Sequence, residues 1–251
     1  PVGSGSAVVE VTRGTLRIMI QAEDFFHFSQ MNGIENDDDA TRQRRYLRKA
    51  KLMNGAIINF CPYMEAESED GEVVFAGSRQ DAMQIQRNRH FFGRNADVKN
   101  GPRAAASILS TGPDYVIAEA LGVETSIGAA ALSAYEYIDN VAEKYHVGDG
   151  IPVVVEDLHV DAENGTVSLR LNRAILERRA NPAMNIHSLA RGGAYGATVT
   201  SVNDRFYRLI VDSGNIQARV ALTSSDELLT RGDRVTLLVY GYDEKRNYVW
   251  G

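Results

Sequence analysis

Between Gly192 and Gly251 apolar and polar residues alternate at a period of two, broken only by short polar clusters. Few folds accommodate that pattern, because each such run must bury one face and leave the other in water. Ala197 and Val199 start the first run, which ends at the turn residues Asn203-Asp204. Tyr207, Leu209 and Val211 then share one face, with Phe206, Arg208 and Ile210 on the other. After the turn Ser213-Gly214-Asn215, the row Ile216, Ala218, Val220 and Leu222 is opposed by Gln217, Arg219 and Ala221. Thr223 to Leu229, with Asp226-Glu227 in its first turn, reads as a short helix. Arg231-Gly232-Asp233 precedes Val235, Leu237 and Val239, and a turn over Asp243 to Asn247 leads into a last strand through Val249.

Five short strands with a helical break after the third predict the small Greek-key barrel of the OB-fold. The Gly232-Asp233 pair ahead of a Val-rich strand and the Asp-Glu-Lys-Arg-Asn turn after it carry a resemblance. In that order the last quarter of the chain resembles the S-one domain, the RNA-binding repeat of the large small-subunit ribosomal protein. The resemblance implies a binding face on the second and third strands, where aromatic rings stack on bases and basic groups hold phosphates. Its usual aromatic positions fall on Arg205 and Arg208, with Phe206 beside them, and its usual His falls on Ala221. Arg219 lies on the same outward face, so positive charge is kept where stacking is reduced.

The preceding segment repeats the pattern. Arg103 to Leu109, Tyr115 to Ala120 and Val123 to Ile127 read as strands, and Leu132 to Tyr145 as an amphipathic helix. Gly148-Asp149 then stands before the strand Ile151 to Val155, as Gly232-Asp233 does later, which marks an internal repeat. A turn over Asp161 to Gly165 precedes the closing strand Thr166 to Leu171, and Ala174 to Gly193 reads as a linker. Two outward residues, Glu119 and Glu124, would repel phosphate, so this middle unit is expected to be a spacer or a protein-contact module.

At the start of the chain, Ala7 to Val11 and Leu16 to Ile20 predict a hairpin, followed by an aromatic cluster, Phe25 to Phe28, assigned to the core. The acidic loop Asn36 to Asp39 is placed to cap a helix over Thr41 to Met53. Arg42, Arg44, Arg45, Arg48, Lys49 and Lys51 put six positive charges within ten residues of that helix. A solvated helix face and a phosphate-contacting helix both fit, and Arg44, Arg45, Arg48 and Lys49 are the candidate contacts. Gly55 to Tyr63 and Glu72 to Ala76 read as strands around an acidic turn from Glu65 to Gly71, and Ser78 as the N-cap of the next helix. This order resembles, in divergent form, the first domain of tandem S-one-type proteins from phages and bacterial mobile elements. Gly93 to Pro102 reads as a second linker. The expected architecture is mainly β: tandem OB-type five-stranded barrels with short helices and a helical insertion in the first, at residues 1–97, 98–180 and 186–251.

Charge is uneven along this frame. The net charge is −6, yet residues 98–185 hold 7 basic and 12 acidic residues against 8 and 7 in residues 186–251. The middle unit therefore carries most of the acidity, and the last can present a basic face. No Walker-type loop, GxSxG, HExxH or CxxC is present, and the five His residues have no metal-pair spacing. A non-enzyme without cofactor or metal is expected. Lone Cys61 and the lack of a membrane-length apolar run or signal-peptide pattern fit a cytoplasmic protein, bacterial or virus-encoded, without a membrane partner. The functional expectation is binding of single-stranded RNA, or single-stranded DNA, by tandem barrels. The alternative is a phage or mobile-element structural protein whose barrels, the acidic middle one above all, contact other proteins.

Overall fold

A computed structural model describes residues 8–13, 16–26, 37–67, 73–92, 102–134, 138, 140–180, 185–222, 228–244 and 248–251. Strands dominate, with short helices between them. In the middle unit β5 (Arg103–Thr111), β6 (Tyr115–Ala120) and β7 (Val123–Gly128) form an antiparallel meander. Strand β8 (Gly150–Asp161) returns to pair with β5, and β9 (Thr166–Asn172) pairs with β8 and lies against β7. The sheet is thus a nearly closed five-stranded barrel, filled by residues such as Ile108, Val116, Ile127, Val153 and Leu171.

The last unit repeats that plan. Here β10 (Ala194–Val202), β11 (Phe206–Val211) and β12 (Ile216–Ala221) form the meander, and β13 (Arg234–Leu238) returns to β10. The fourth strand breaks at Val239-Tyr240 and resumes as β14 (Gly241–Asp243), which pairs with β15 (Tyr248–Trp250). Strand β15 also runs parallel to β12, which brings the fifth strand beside the third.

The Gly-Asp repeat sets the same turn in both barrels. Gly148 and Gly232 have φ of 91° and 94°, a region that glycine enters without a Cβ penalty. Asp149 accepts from the His146 N–H at 2.8 Å, and Asp233 from the Thr230 N–H at 2.7 Å. The peptide groups then bond to Ile108 in one barrel and to Val199 in the other. Both first strands also carry a bulge, between Ile108 and Ser110 and between Val199 and Ser201. The extra residue breaks the inward–outward alternation. In β5 it sends Leu109 out of its own barrel and into the core of the first unit.

That first unit has four described strands, β1 (Val8–Arg13), β2 (Leu16–Gln21), β3 (Cys61–Glu67) and β4 (Val73–Ser78), in the order β1-β2-β4-β3. Strand β2 runs parallel to β4, and the other pairs are antiparallel. This is the arrangement of strands two to five of the last barrel; no described strand takes the place of the first. After the short α1 (Ala22–Phe25), the helical insertion α2 (Asp39–Leu52) lies where an OB barrel carries its helix. Asp38 caps α2 by accepting from the Thr41 N–H at 2.6 Å, and Ser78 caps α3 (Arg79–Arg87) by accepting from Asp81. Phe25 and Phe26 are buried as expected, and Tyr46 stacks on Phe26 at 5.7 Å.

Several boundaries differ from the sequence reading. Residues 56–60 keep a period-two burial but have no sheet partner, and the strand begins at Cys61 and runs to Glu67, through part of the expected acidic turn. An edge strand accepts Glu65, which is exposed, because its outer side meets water. No continuous helix spans Leu132 to Tyr145: α4 (Ala129–Leu132) stops early, and a single turn forms at Val141–Glu143. Glu177 captures the Ala134 N–H and the Ser133 hydroxyl at 2.7 and 2.9 Å, and Asn140 caps the second turn. Such side-chain bonds compete with the helix for the backbone. Nor is Ala174 to Gly193 a bare linker. It holds α5 (Ala174–Ala180), with Ala174 buried, and it delivers Ile186 and Leu189 to the last core. Most of Gly93 to Pro102 and the expected helix over Thr223 to Leu229 lie outside the described residues.

Leu121 and Gly122 join β6 to β7 as a two-residue turn with φ of 55° and 77°, the mirror-type turn that suits twisted hairpins. A Cβ on Gly122 would run into the Met83 carbonyl and, at 2.8 Å, the Gln86 Cβ of α3. Gly122→Ala is therefore expected to lower stability by about 2 kcal/mol from left-handed strain alone, more with the displaced helix. Denaturant unfolding of the variant checks this; a change below about 0.5 kcal/mol would mean that neither the left-handed turn nor its contact with α3 constrains this position.

Candidate nucleic-acid interface

The outward faces of β11 and β12 gather most of the residues that the sequence singles out. Their register places Arg208 directly opposite Arg219, with Phe206 opposite Ala221. Alternation keeps Tyr207, Leu209 and Ala218 inside the barrel, so the two guanidiniums come out together. Arg219 lies over the Phe206 ring at 4.9 Å and Arg208 at 5.4 Å, the same ring serving both. Like charges directly opposite one another on a sheet are destabilising, so the aromatic ring offsets a repulsion that the register imposes. Arg205 is exposed in the preceding turn, where Asn203 accepts from its N–H and from that of Phe206.

The fifth strand adds a ring that the sequence reading passed over. Trp250 is opposite Arg219 in the parallel β12–β15 pair, so it shares the arginines' face. It is 40% exposed and stands edge-on to Tyr248 at 4.9 Å; Arg219 lies over that second ring at 4.3 Å. Phe206 is therefore not the sole aromatic plane of this face. Alternation about buried Val249 already puts Trp250 outward, but its pairing with Arg219 depends on the parallel closure, which a sequence pattern does not show.

The face looks toward the middle unit across a cavity of about 230 Å³. Arg208, Arg219, Gln217 and Thr200 line it from the last barrel, and Ser133 and Arg178 from the middle unit. Among the described residues no carboxylate lines that wall. Gln217 spans the junction by donating to the Ala134 carbonyl at 2.9 Å. Next to it Glu177 is tied to Ala134, Ser133 and Arg173. Burial alone would raise its carboxyl, but those donors more than offset it and hold it below the usual carboxylate range.

Register also corrects the expected match in the middle barrel. Ser110 faces Ile117 as Ser201 faces Arg208, so the arginine pair corresponds to Ile117 and Ser126, not to Glu119 and Glu124. Tyr115 takes the place of Phe206 and is exposed. Glu119 and Glu124 face each other across β6 and β7 and receive the first unit. Arg79, fully buried, donates to Glu119 at 2.5 Å and to Glu124 at 3.3 Å, with a third bond to the Phe25 carbonyl. Lys49 reaches Glu124 at 2.9 Å and lies over the Phe26 ring. Arg87 donates to the Gly122 carbonyl, and burial pushes its guanidinium below its ordinary value.

The basic helix α2 is thus divided. Lys49 turns inward to the middle barrel, Arg45 pairs with Asp37 at 3.0 Å, and Arg42 pairs with Asp39. Arg44 and Arg48 are exposed, one turn apart on the same side. Among the described residues no group of three or more His, Cys, Asp or Glu side chains is placed to hold a metal ion, and no helix is long and apolar enough to cross a membrane.

No protein-family profile and no curated protein matches the chain. Among solved structures, it is similar to the crystal structure of a multidomain protein with nucleic acid binding domains from Streptococcus pneumoniae TIGR4. That alignment covers 96% of this chain and 66% of the other, with 9% identity and a TM-score of 0.26. The chain thus spans just under two thirds of that protein's length.

Proposed function

We propose that the chain is a non-catalytic, cytoplasmic protein that binds single-stranded RNA, or single-stranded DNA, on the outward face of its last barrel. The observation that supports this most is the cross-strand Arg208–Arg219 pair beside two rings, Phe206 and Trp250, on the outward face of the last barrel. Guanidiniums supply phosphate contacts, and flat rings supply stacking that accepts any base. Arg205 at the rim extends the positive track. The three units are read as divergent S-one-type repeats of a phage or mobile-element protein. The first is specialised to cap the second.

A second reading, protein contact, is favoured for the middle barrel. Its equivalent strands hold Ile117 and Ser126 in place of the arginines, and its two carboxylates accept Arg79 and Lys49 of the same chain. Since the Lys49 ammonium is already neutralised there, we assign it to that junction and not to RNA. Arg44 and Arg48 remain as a secondary, electrostatic contact. Arg44→Glu combined with Arg48→Glu should weaken RNA binding by about 1 kcal/mol at low salt with an unchanged melting temperature. Fluorescence anisotropy with an unstructured RNA tests this, and unchanged affinity would return the helix to a merely solvated face.

A further inference from the structure

We infer that Tyr240 is a second base-stacking residue of the last barrel, so that a bound strand continues from Trp250 onto the break in the fourth strand. This rests on the proposed nucleic-acid face of that barrel and adds a contact from outside β11, β12 and β15. Val239 is fully buried and Tyr242 packs against the same core, so inward residues here are three apart instead of two, as at a bulge. Tyr240 and Gly241 between them both lie on the outer side. Gly241 is directly opposite Trp250 in the β14–β15 pair, and the Tyr240 N–H donates to the Trp250 carbonyl at 2.7 Å. Tyr240 is 60% exposed, more than Trp250 at 40%.

Two features suit this place to bases. A Cβ on Gly241 would meet nothing within 4 Å, so the flank of β14 beside the indole is open to a flat ring. Tyr240 also lines a space of about 620 Å³ whose wall includes Leu238, Val220 and Ala221, all apolar. Ala221 is the residue opposite Phe206, so that space adjoins the aromatic edge of the arginine face. The bases are the part of a single strand that offers flat apolar faces, and rings at successive positions take them without regard to sequence. The arginines then hold the backbone on the β11–β12 side, while Trp250 and Tyr240 take neighbouring bases on the β14–β15 side. A polypeptide segment laid along the same apolar wall is the competing occupant, and it predicts no contribution of Tyr240 to nucleic-acid binding.

The test uses the full chain and a short oligouridine, with dissociation constants and the fluorescence of Trp250, the single tryptophan of the chain, measured across a range of salt. Tyr240→Ala should weaken binding by about fivefold or more at every salt concentration, with the slope of log K against log salt unchanged. Quenching of Trp250 at saturation should persist, because the base on the indole stays in place. Tyr240→Phe, which keeps the ring, should bind like the wild type. Tyr63→Ala removes a similarly exposed ring, at 57%, from the first unit and should have no effect. Wild-type binding that Tyr240→Ala does not weaken, that Tyr63→Ala weakens equally, or that Tyr240→Phe weakens as much as Tyr240→Ala overturns the second stacking position but leaves the last barrel as the RNA site. If the wild type does not bind at low salt, both readings fail together.

Discussion

Arg79→Met is expected to lower the stability of the chain by about 3–5 kcal/mol, the cost of removing one member of a buried ion pair. The guanidinium has no solvent exposure, and Glu119 has 5%. With Arg79 gone, Glu124 keeps Lys49 at 2.9 Å, but Glu119 loses its salt-bridge partner and stays buried. That asymmetry makes Glu119, not Glu124, the source of the loss. At about 2–4 °C per kcal/mol for a chain of this size, the melting transition should fall by about 10 °C. Arg79→Met with Glu119→Leu should recover at least half of the loss, because a neutral, well-filled site avoids the uncompensated charge. If the single variant loses less than about 1 kcal/mol, or if the second change makes matters worse, the buried network does not hold the first unit on the middle barrel.

Local rules explain which parts of this arrangement were legible in the sequence. The Gly148-Asp149 and Gly232-Asp233 turns were legible because one residue must take positive φ and the next must cap a backbone N–H, and only a few residue types do either. The alternation in β10 to β12 gave the outward set Phe206, Arg208 and Arg219 directly. Long-range choices were hidden. The bulges that shift Leu109 outward leave no local mark in an otherwise apolar run. Glu119 and Glu124 read as phosphate repellents because their partners, Arg79 and Lys49, lie about forty to seventy-five residues away. The helix expected over Leu132 to Tyr145 failed for the same reason: the carboxylate that takes the Ala134 N–H belongs to Glu177.

Trp250→Ala should weaken RNA binding by about 1–3 kcal/mol, roughly five- to 150-fold, at every salt concentration. The ring is 40% exposed, stands beside Arg219 in register and packs edge-on against buried Tyr248, which holds its plane in place. A stacked base loses contact area with the ring whatever the ionic strength. Little folding stability should go with it, since one side of the indole already faces water. Phe206→Ala should act less cleanly. Its ring underlies both guanidiniums, so its loss also loosens Arg208 and Arg219 and mixes a salt-independent effect with a salt-dependent one. The two variants together separate stacking from arginine positioning. Equal, salt-dependent losses from both would show that neither ring carries a base.

The central claim is that the β11–β12–β15 face binds a nucleic-acid strand through arginines and rings. Titrating an unstructured RNA into wild type, Arg208→Ala and Trp250→Ala at several salt concentrations tests it most directly. The wild type should bind most tightly at low salt, with log K falling linearly against log salt. Arg208→Ala should flatten that line by about 0.7, and Trp250→Ala should shift it down without changing its slope. No wild-type binding at the lowest salt, or binding that neither substitution alters, would contradict the account and favour protein contact as the role of the last barrel.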